Sequence, residues 1–191
     1  MDVKIYALKL SEDLTDVQFN TFLGCSQEER KEKIKRCKVS KKRDIMAVSQ
    51  IFAKACIKKT FGIDIKKQEI RYGEFEKPYL FGYPDIHFNI SHSEELLVCA
   101  VSDKNVGIDA EKIGEYSKKL IERVCSEEEL ERVLKSDNVN YEFCKLWTKK
   151  EAYSKLLGTG IQDFKMKDIE YRNVFTYDYG EYIISVAKEM G

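Results

Sequence analysis

The sequence predicts an α+β protein made of two consecutive α+β halves. An alternating strand opens the chain, and helical stretches and then further strands follow it. After a polar turn near Ser102 to Val106 the order of strand, helices and strands returns. No repeat is visible residue by residue, so the order of elements carries this expectation. The expected division is 1–105 and 106–191, and 191 residues suffice for a substantial core.

Val3 to Leu10 alternates apolar and polar side chains and predicts the first strand. Ser26 to Lys42 is dense in charge, including Arg30 and Lys33 three residues apart on one helix face. Such a run is either a solvated face or a cationic patch for a polyanion. Ser40 is placed to cap the next helix, whose apolar positions Ile45, Val48, Phe52 and Ala55 keep helical spacing until Gly62. Arg43 then falls in the first turn, where a cation opposes the helix dipole and so does not serve helix stability. Glu69 to Tyr72 reads as a short strand, and Pro78 restricts Lys77 to extended geometry.

Ile86 to Ile90 alternates as a strand, Ser91 to Glu94 reads as a polar break, and Leu96 to Val101 as an apolar strand. A turn at Asp103-Lys104 predicts a hairpin with Val106 to Glu111, setting Asp109 near Val98 and Glu111 near Leu96. Period-two geometry points both carboxylates to one side, about 6–7 Å apart along the strand. Tyr116 to Val124 and Glu127 to Leu134 read as helices, the second with a capping box of Ser126 and Glu129.

Phe143 to Gly160 contains an amphipathic helix stopped at Gly158. At about 100° per residue, Glu151 and Lys155 fall on the edge of its apolar stripe and Lys150 inside it, where charges need partners. A plain i,i+4 surface pair between Glu151 and Lys155 is the bland alternative. Lys167 to Arg172, Val174 to Tyr177 and Tyr182 to Val186 read as a small antiparallel sheet.

Charge is balanced, with 33 basic and 33 acidic residues, so only local patches bear on polyanion binding. The longest apolar run is far short of a membrane span, and the polar N-terminus does not read as a signal peptide, so a cytoplasmic protein is expected. Six cysteines without CxxC spacing and two histidines exclude a zinc pattern and point to reduced packing thiols.

Asp109, Glu111 and Glu151 form a candidate all-oxygen site suited to Mg²⁺. Arg30, Lys33, Arg43, Lys77, His92 and Lys155 are the candidate phosphate-binding cations around it. Neither a GxxxxGK[ST] loop nor a GxGxxG turn is present, which argues against P-loop and Rossmann enzymes.

Lys77-Pro78, Phe88-Asn-Ile-Ser-His-Ser93, Gly107-Ile-Asp-Ala-Glu111 and Trp147-Thr-Lys-Lys-Glu-Ala-Tyr-Ser-Lys155, in this order and spacing, closely resemble the 4′-phosphopantetheinyl transferases of the surfactin-synthetase-activating type. The resemblance implies a pseudo-twofold pair of α+β halves with a coenzyme A site in the cleft between them. It further implies Asp109, Glu111 and Glu151 as Mg²⁺ ligands, and Lys77, Pro78, Ser91, His92 and Lys155 as contacts to the coenzyme A nucleotide and phosphates. Arg43 resembles the 3′-phosphate contact, Arg30 and Lys33 align as further phosphate contacts, and Asp44 is left out of the site.

The implied reaction transfers phosphopantetheine to a serine of an acyl or peptidyl carrier protein and releases adenosine 3′,5′-bisphosphate. Asp109, Glu151 and Lys155 are its catalytic candidates, Glu151 also as the base that takes the serine proton. The expected partners are coenzyme A and a carrier of fatty-acid, polyketide or nonribosomal-peptide synthesis, with no nucleic acid, no membrane and a monomeric enzyme. The rival readings are a non-catalytic coenzyme A or nucleotide-binding regulatory module and a metal-dependent pyrophosphohydrolase. A carrier-docking surface is sought near Leu120 to Arg132 and Thr159 to Lys167.

Overall fold

The computed structural model describes residues 2–159 and 166–189. The first half runs β1 (Lys4–Lys9), α1 (Asp16–Gly24), α2 (Glu28–Lys35), α3 (Ser40–Phe61), the two-strand ribbon β2 (Ile70–Tyr72) and β3 (Pro78–Leu80), then β4 (His87–Ser93) and β5 (Leu96–Ser102). The second runs β6 (Val106–Lys112), α4 (Lys118–Val124), α5 (Glu127–Leu134), α6 (Val139–Leu157), β7 (Val174–Tyr179) and β8 (Tyr182–Lys188). Each half builds a three-stranded antiparallel sheet with its last strand in the middle, in the orders β1-β5-β4 and β6-β8-β7. The wiring of the first half is thus repeated in the second, with the ribbon β2-β3 inserted in the first.

Side-chain alternation sets the layers. Leu96, Val98 and Ala100 of β5 meet Val106, Ile108 and Ala110 of β6 and Tyr182, Ile184 and Val186 of β8 in one core between the sheets. The opposite face of β5, Cys99 and Val101, packs under Ala53, Cys56 and Ile57 of α3. On the far side, Ala152 and Leu156 of α6 pack on Ala187 of β8. With both faces covered, β5 is buried along its whole length.

Gly107 decides how closely α6 approaches. A Cβ there would stand 2.1 Å from the Ala152 carbonyl oxygen and 2.4 Å from the Leu156 nitrogen. With hydrogen at that position the helix backbone rests directly on β6, and the side chains of Glu151 and Lys155 reach the face that carries Asp109.

Several sequence expectations need correction. β6 is hydrogen-bonded to β8, with Asp109 opposite Ser185 and Glu111 opposite Ile183, and does not form the expected hairpin with β5. The reason is that β1 and β4 fill both edges of β5. Ser91 to Ser93 belongs to β4, and the break comes at Glu94. The N-cap of α3 is Val39, without a side-chain cap bond, and Ser40 is the first helical residue. Ala55 is exposed, while Ala53, Cys56 and Ile57 are buried. Lys167 to Arg172 forms no strand; Met166–Asp168 is a 3₁₀ turn. The Ser126–Glu129 capping box and the Gly158 stop of α6, at φ 67°, are as expected.

Candidate active site

β4 and β6 lie side by side without a backbone ladder, and side chains join them instead. Asn89, Ser91 and Ser93 alternate along β4 toward β6. The Asn89 side-chain oxygen accepts from the Ile108 amide at 3.1 Å. Ser91 Oγ donates to Asp109 Oδ1 at 2.7 Å, and Ser93 Oγ donates to Glu111 Oε2 at 3.0 Å while accepting from the Lys112 amide. Buried polar groups must be satisfied, and here two strands satisfy each other.

α6 completes the cluster from the other side. Lys155 Nζ donates to Asp109 Oδ1 at 2.7 Å and to Ser91 Oγ at 2.8 Å. The bland i,i+4 pair with Glu151 is therefore replaced by a pair with Asp109. Lys150, expected to need partners, is fully buried and donates to Glu129 at 2.6 Å and to the carbonyls of Val124 and Met166. It is a structural strut.

The three acids share one electrostatic field. Burial, then the charge of Asp109, pushes the Glu151 carboxyl up to about 8, with Lys155 opposing. Burial and then Asp109 also raise Glu111, against bonds from Ser93 and Trp147. Among the described residues no set of three His, Cys, Asp or Glu side chains stands close enough to enclose a metal ion. The expected carboxylate cage is thus not closed in this structure, where the Lys155 ammonium is the cation on Asp109. The donor set still suits a hard divalent ion: all ligand atoms are oxygens, the carboxyls repel one another, and Asp109 Oδ2 is buried without a partner.

The other candidates divide into two groups. His92 is exposed at the end of β4, and its protonation is disfavoured by partial dehydration and then by Lys155, Lys42 and Arg30, against the pull of Asp109. Those cations therefore crowd one region. Arg30 donates to Ser49 Oγ at 2.7 Å and lies over the Tyr72 ring, and Arg43 lies over Phe19 with its centre 4.4 Å from the ring centroid. The Nε atoms of both arginines are buried and unpartnered. Lys33 is exposed and paired with Glu76. Lys77 departs from a free phosphate contact: its ammonium donates to Asn105 Oδ1 and the Leu156 carbonyl, each at 2.7 Å, and burial pushes it down to about 8. It ties the ribbon to α6. Asp44 is buried and accepts from the Leu14 amide at 2.9 Å, a structural role. A cleft of about 250 Å³ runs over this ground, lined by Lys77, Pro78, Asn89, Glu151, Lys155 and Gly158 among others.

Comparison with known proteins decides the family. Residues 105–186 match the family described as 4′-phosphopantetheinyl transferase superfamily, and residues 13–104 match the family described as 4′-phosphopantetheinyl transferase, N-terminal. The chain belongs to the 4′-phosphopantetheinyl transferase superfamily. It is 29% identical over 164 residues to 4′-phosphopantetheinyl transferase Sfp of Bacillus subtilis, covering 83% of this chain and 72% of that protein. To 4′-phosphopantetheinyl transferase gsp of Aneurinibacillus migulanus it is 44% identical over 94 residues, 48% of this chain and 38% of that one. Among solved structures, Thermotoga maritima holo-[acyl-carrier-protein] synthase aligns at TM-score 0.39 and 22% identity, over 43% of this chain and 60% of that one. The enzyme is accordingly a 4′-phosphopantetheinyl transferase.

Three residues that build the polar cluster or bring α6 to it were not singled out in the sequence. Asn89 and Ser93 share the period-two pattern of Ser91, which becomes informative once the segment is read as strand to its end. Gly107 carried a usable sign, since a glycine inside a strand often marks close approach of another backbone.

Proposed function

We propose that this transferase moves phosphopantetheine from coenzyme A to a serine hydroxyl of an apo acyl or peptidyl carrier protein, with Mg²⁺, releasing adenosine 3′,5′-bisphosphate. The observation that carries this reading is Lys155 at one wall of the cleft, its ammonium held between Asp109 and Ser91 at 2.7 and 2.8 Å. An oxygen nucleophile approaching a diphosphate meets repulsion, and fixed positive charge around the phosphates lowers that barrier.

Asp109, Glu111 and Glu151 are the side chains that would hold magnesium, which when bound neutralises charge on the diphosphate. Lys155 donates to the transferring or leaving phosphate, with Asp109 and Ser91 fixing its direction. His92, Arg30, Lys33 and Arg43 bind the remaining phosphate oxygens. Lys77 and Pro78 shape the nucleotide wall through backbone and packing. Glu151, whose carboxyl burial pushes up to about 8, accepts the serine proton.

The two halves, divided at 105 and 106 and related by a pseudo-twofold, form the cleft within one chain, consistent with a monomer. No helix among the described residues is long and apolar enough to cross a membrane. Of the carrier-docking surface sought in the sequence, 160–165 lies outside the described residues.

The test is to incubate the enzyme, Mg²⁺ and coenzyme A with a panel of apo carriers and weigh the carriers. One phosphopantetheinyl group added to a carrier supports the reading, and Asp109→Ala should abolish that addition while keeping the unfolding transition. Coenzyme A binding without transfer to any carrier would instead favour a regulatory module, and phosphopantetheine released without a carrier a hydrolase.

A further inference from the structure

The turn between β2 and β3 holds two successive side-chain-bearing residues in the left-handed region, Phe75 at φ 53° and Glu76 at φ 59°. Cβ crowding disfavours this region, so a turn with two such residues needs an external hold. Lys33 of α2 supplies one: its ammonium donates to both Glu76 carboxylate oxygens, at 2.7 and 2.8 Å. Both side chains are exposed, and Glu76 lines the cleft next to Lys77. The carboxylate of Asp109, deeper in, has Lys155 upon it. Glu76 instead engages a cation at the rim, on the helix that also carries Arg30. A carboxylate there has the wrong sign for an anionic ligand.

We propose that Glu76 masks Lys33 and thereby sets the affinity of the cleft for its anionic nucleotide. On binding, phosphate oxygens replace the Glu76 carboxylate as the partner of Lys33. For the identity of that nucleotide, coenzyme A, the inference rests on the transferase reading above. The mask is modest, because an exposed ion pair is weak, and it fades with salt.

The experiment is calorimetric titration of coenzyme A, with Mg²⁺ and at low salt, into wild type, Glu76→Gln, Lys33→Ala and the double variant. Glu76→Gln should tighten binding about two- to fivefold, and the gain should shrink at about 0.5 M salt. It should vanish when Lys33 is already alanine. In steady state the KM for coenzyme A should fall in Glu76→Gln with kcat unchanged. An unaltered affinity, or a gain that persists without Lys33, overturns the mask. A wild-type protein that binds no coenzyme A overturns the transferase reading itself, and the mask with it.

Discussion

The halves meet along two seams, and the seams differ. In one, β4 lies against β6; in the other, β1 faces β7 and β8 across a groove of about 210 Å³ lined by Val3, Ile5, Phe175 and Tyr177. The repeated wiring makes them counterparts, since each brings a side strand of one sheet to the first strand of the other. Yet the first holds Asn89, Ser91, Asp109 and Glu111, while Lys188 of the second lies over the Phe175 ring. One framework thus offers two similar grooves, and chemistry follows from polar residues set at alternate positions of two strands. Those residues are costly to bury, so they must bond one another across the seam.

The comparison is broken most severely by the two lysines of α6, the helix that covers the active seam. Lys150 is fully buried on three oxygen partners. Lys150→Ala leaves the Glu129 carboxylate without its counter-ion, though still bonded to the Ser126 amide, removes the ammonium from two carbonyls, and should cost about 3–5 kcal/mol, read by denaturant unfolding. Lys155→Ala should move that midpoint far less with magnesium present but lower carrier modification about 10²-fold or more. Equal stability losses with unaltered turnover would make both lysines structural.

Gly107→Ala comes next. Its Cβ cannot coexist with the Ala152 and Leu156 backbone, so α6 must lift from β6. We expect about 3 kcal/mol of destabilisation, and loss of turnover even below the new melting temperature. Gly114→Ala is the control, because its Cβ would meet nothing closer than 3.9 Å.

These residues also show what was legible. Helix stops at Gly62 and Gly158, the capping box at Ser126 and the order of elements are local signals, and each appears where expected. Strand pairing is not local. The turn at Asp103-Lys104 suggested a β5–β6 hairpin, but β1 and β4, whose claims on β5 the hairpin cue does not reveal, already occupy its edges. The expected closeness of Asp109 to Val98 pointed to the right place, since Val98 pairs with Ser91 on β4, but the bond between Ser91 and Asp109 itself was not anticipated. Lys77 shows another limit: the family resemblance implied a coenzyme A contact there, while only its surroundings reveal the bond to Leu156.

A subtler test uses pH. The folded Glu151 carboxyl, pushed up to about 8, binds a proton more tightly than its unfolded counterpart, whose ordinary value is 4.5. Its contribution to metal-free stability is therefore full below that value and is lost as pH rises toward 8. Magnesium competes with the proton, so the rise in melting temperature on adding it should be larger at high pH than at low pH. Glu151→Gln should flatten both trends in part, Glu111 remaining. Parallel pH curves for wild type and variant would remove Glu151 from the shared field.

The smallest effect should come from Ser93. Its hydroxyl donates to Glu111 and accepts from the Lys112 amide, so it binds the outer end of the seam without touching the cleft's lysine. Ser93→Ala removes about 1 kcal/mol of hydrogen bonding and frees the Glu111 carboxylate to turn. A second partner of this kind commonly tunes metal affinity about tenfold, so the magnesium concentration for half-maximal transfer should rise by about that factor while saturated turnover holds. Thr176→Ala is the comparison on β7, where the hydroxyl meets Ser185 of β8 at 2.9 Å. It should leave the magnesium dependence where it was, because its hydroxyl bonds Ser185 and none of the three site acids. A matching shift in both variants would mean that the two seams are coupled through β8, and that the division of labour between them is less complete than their side chains imply.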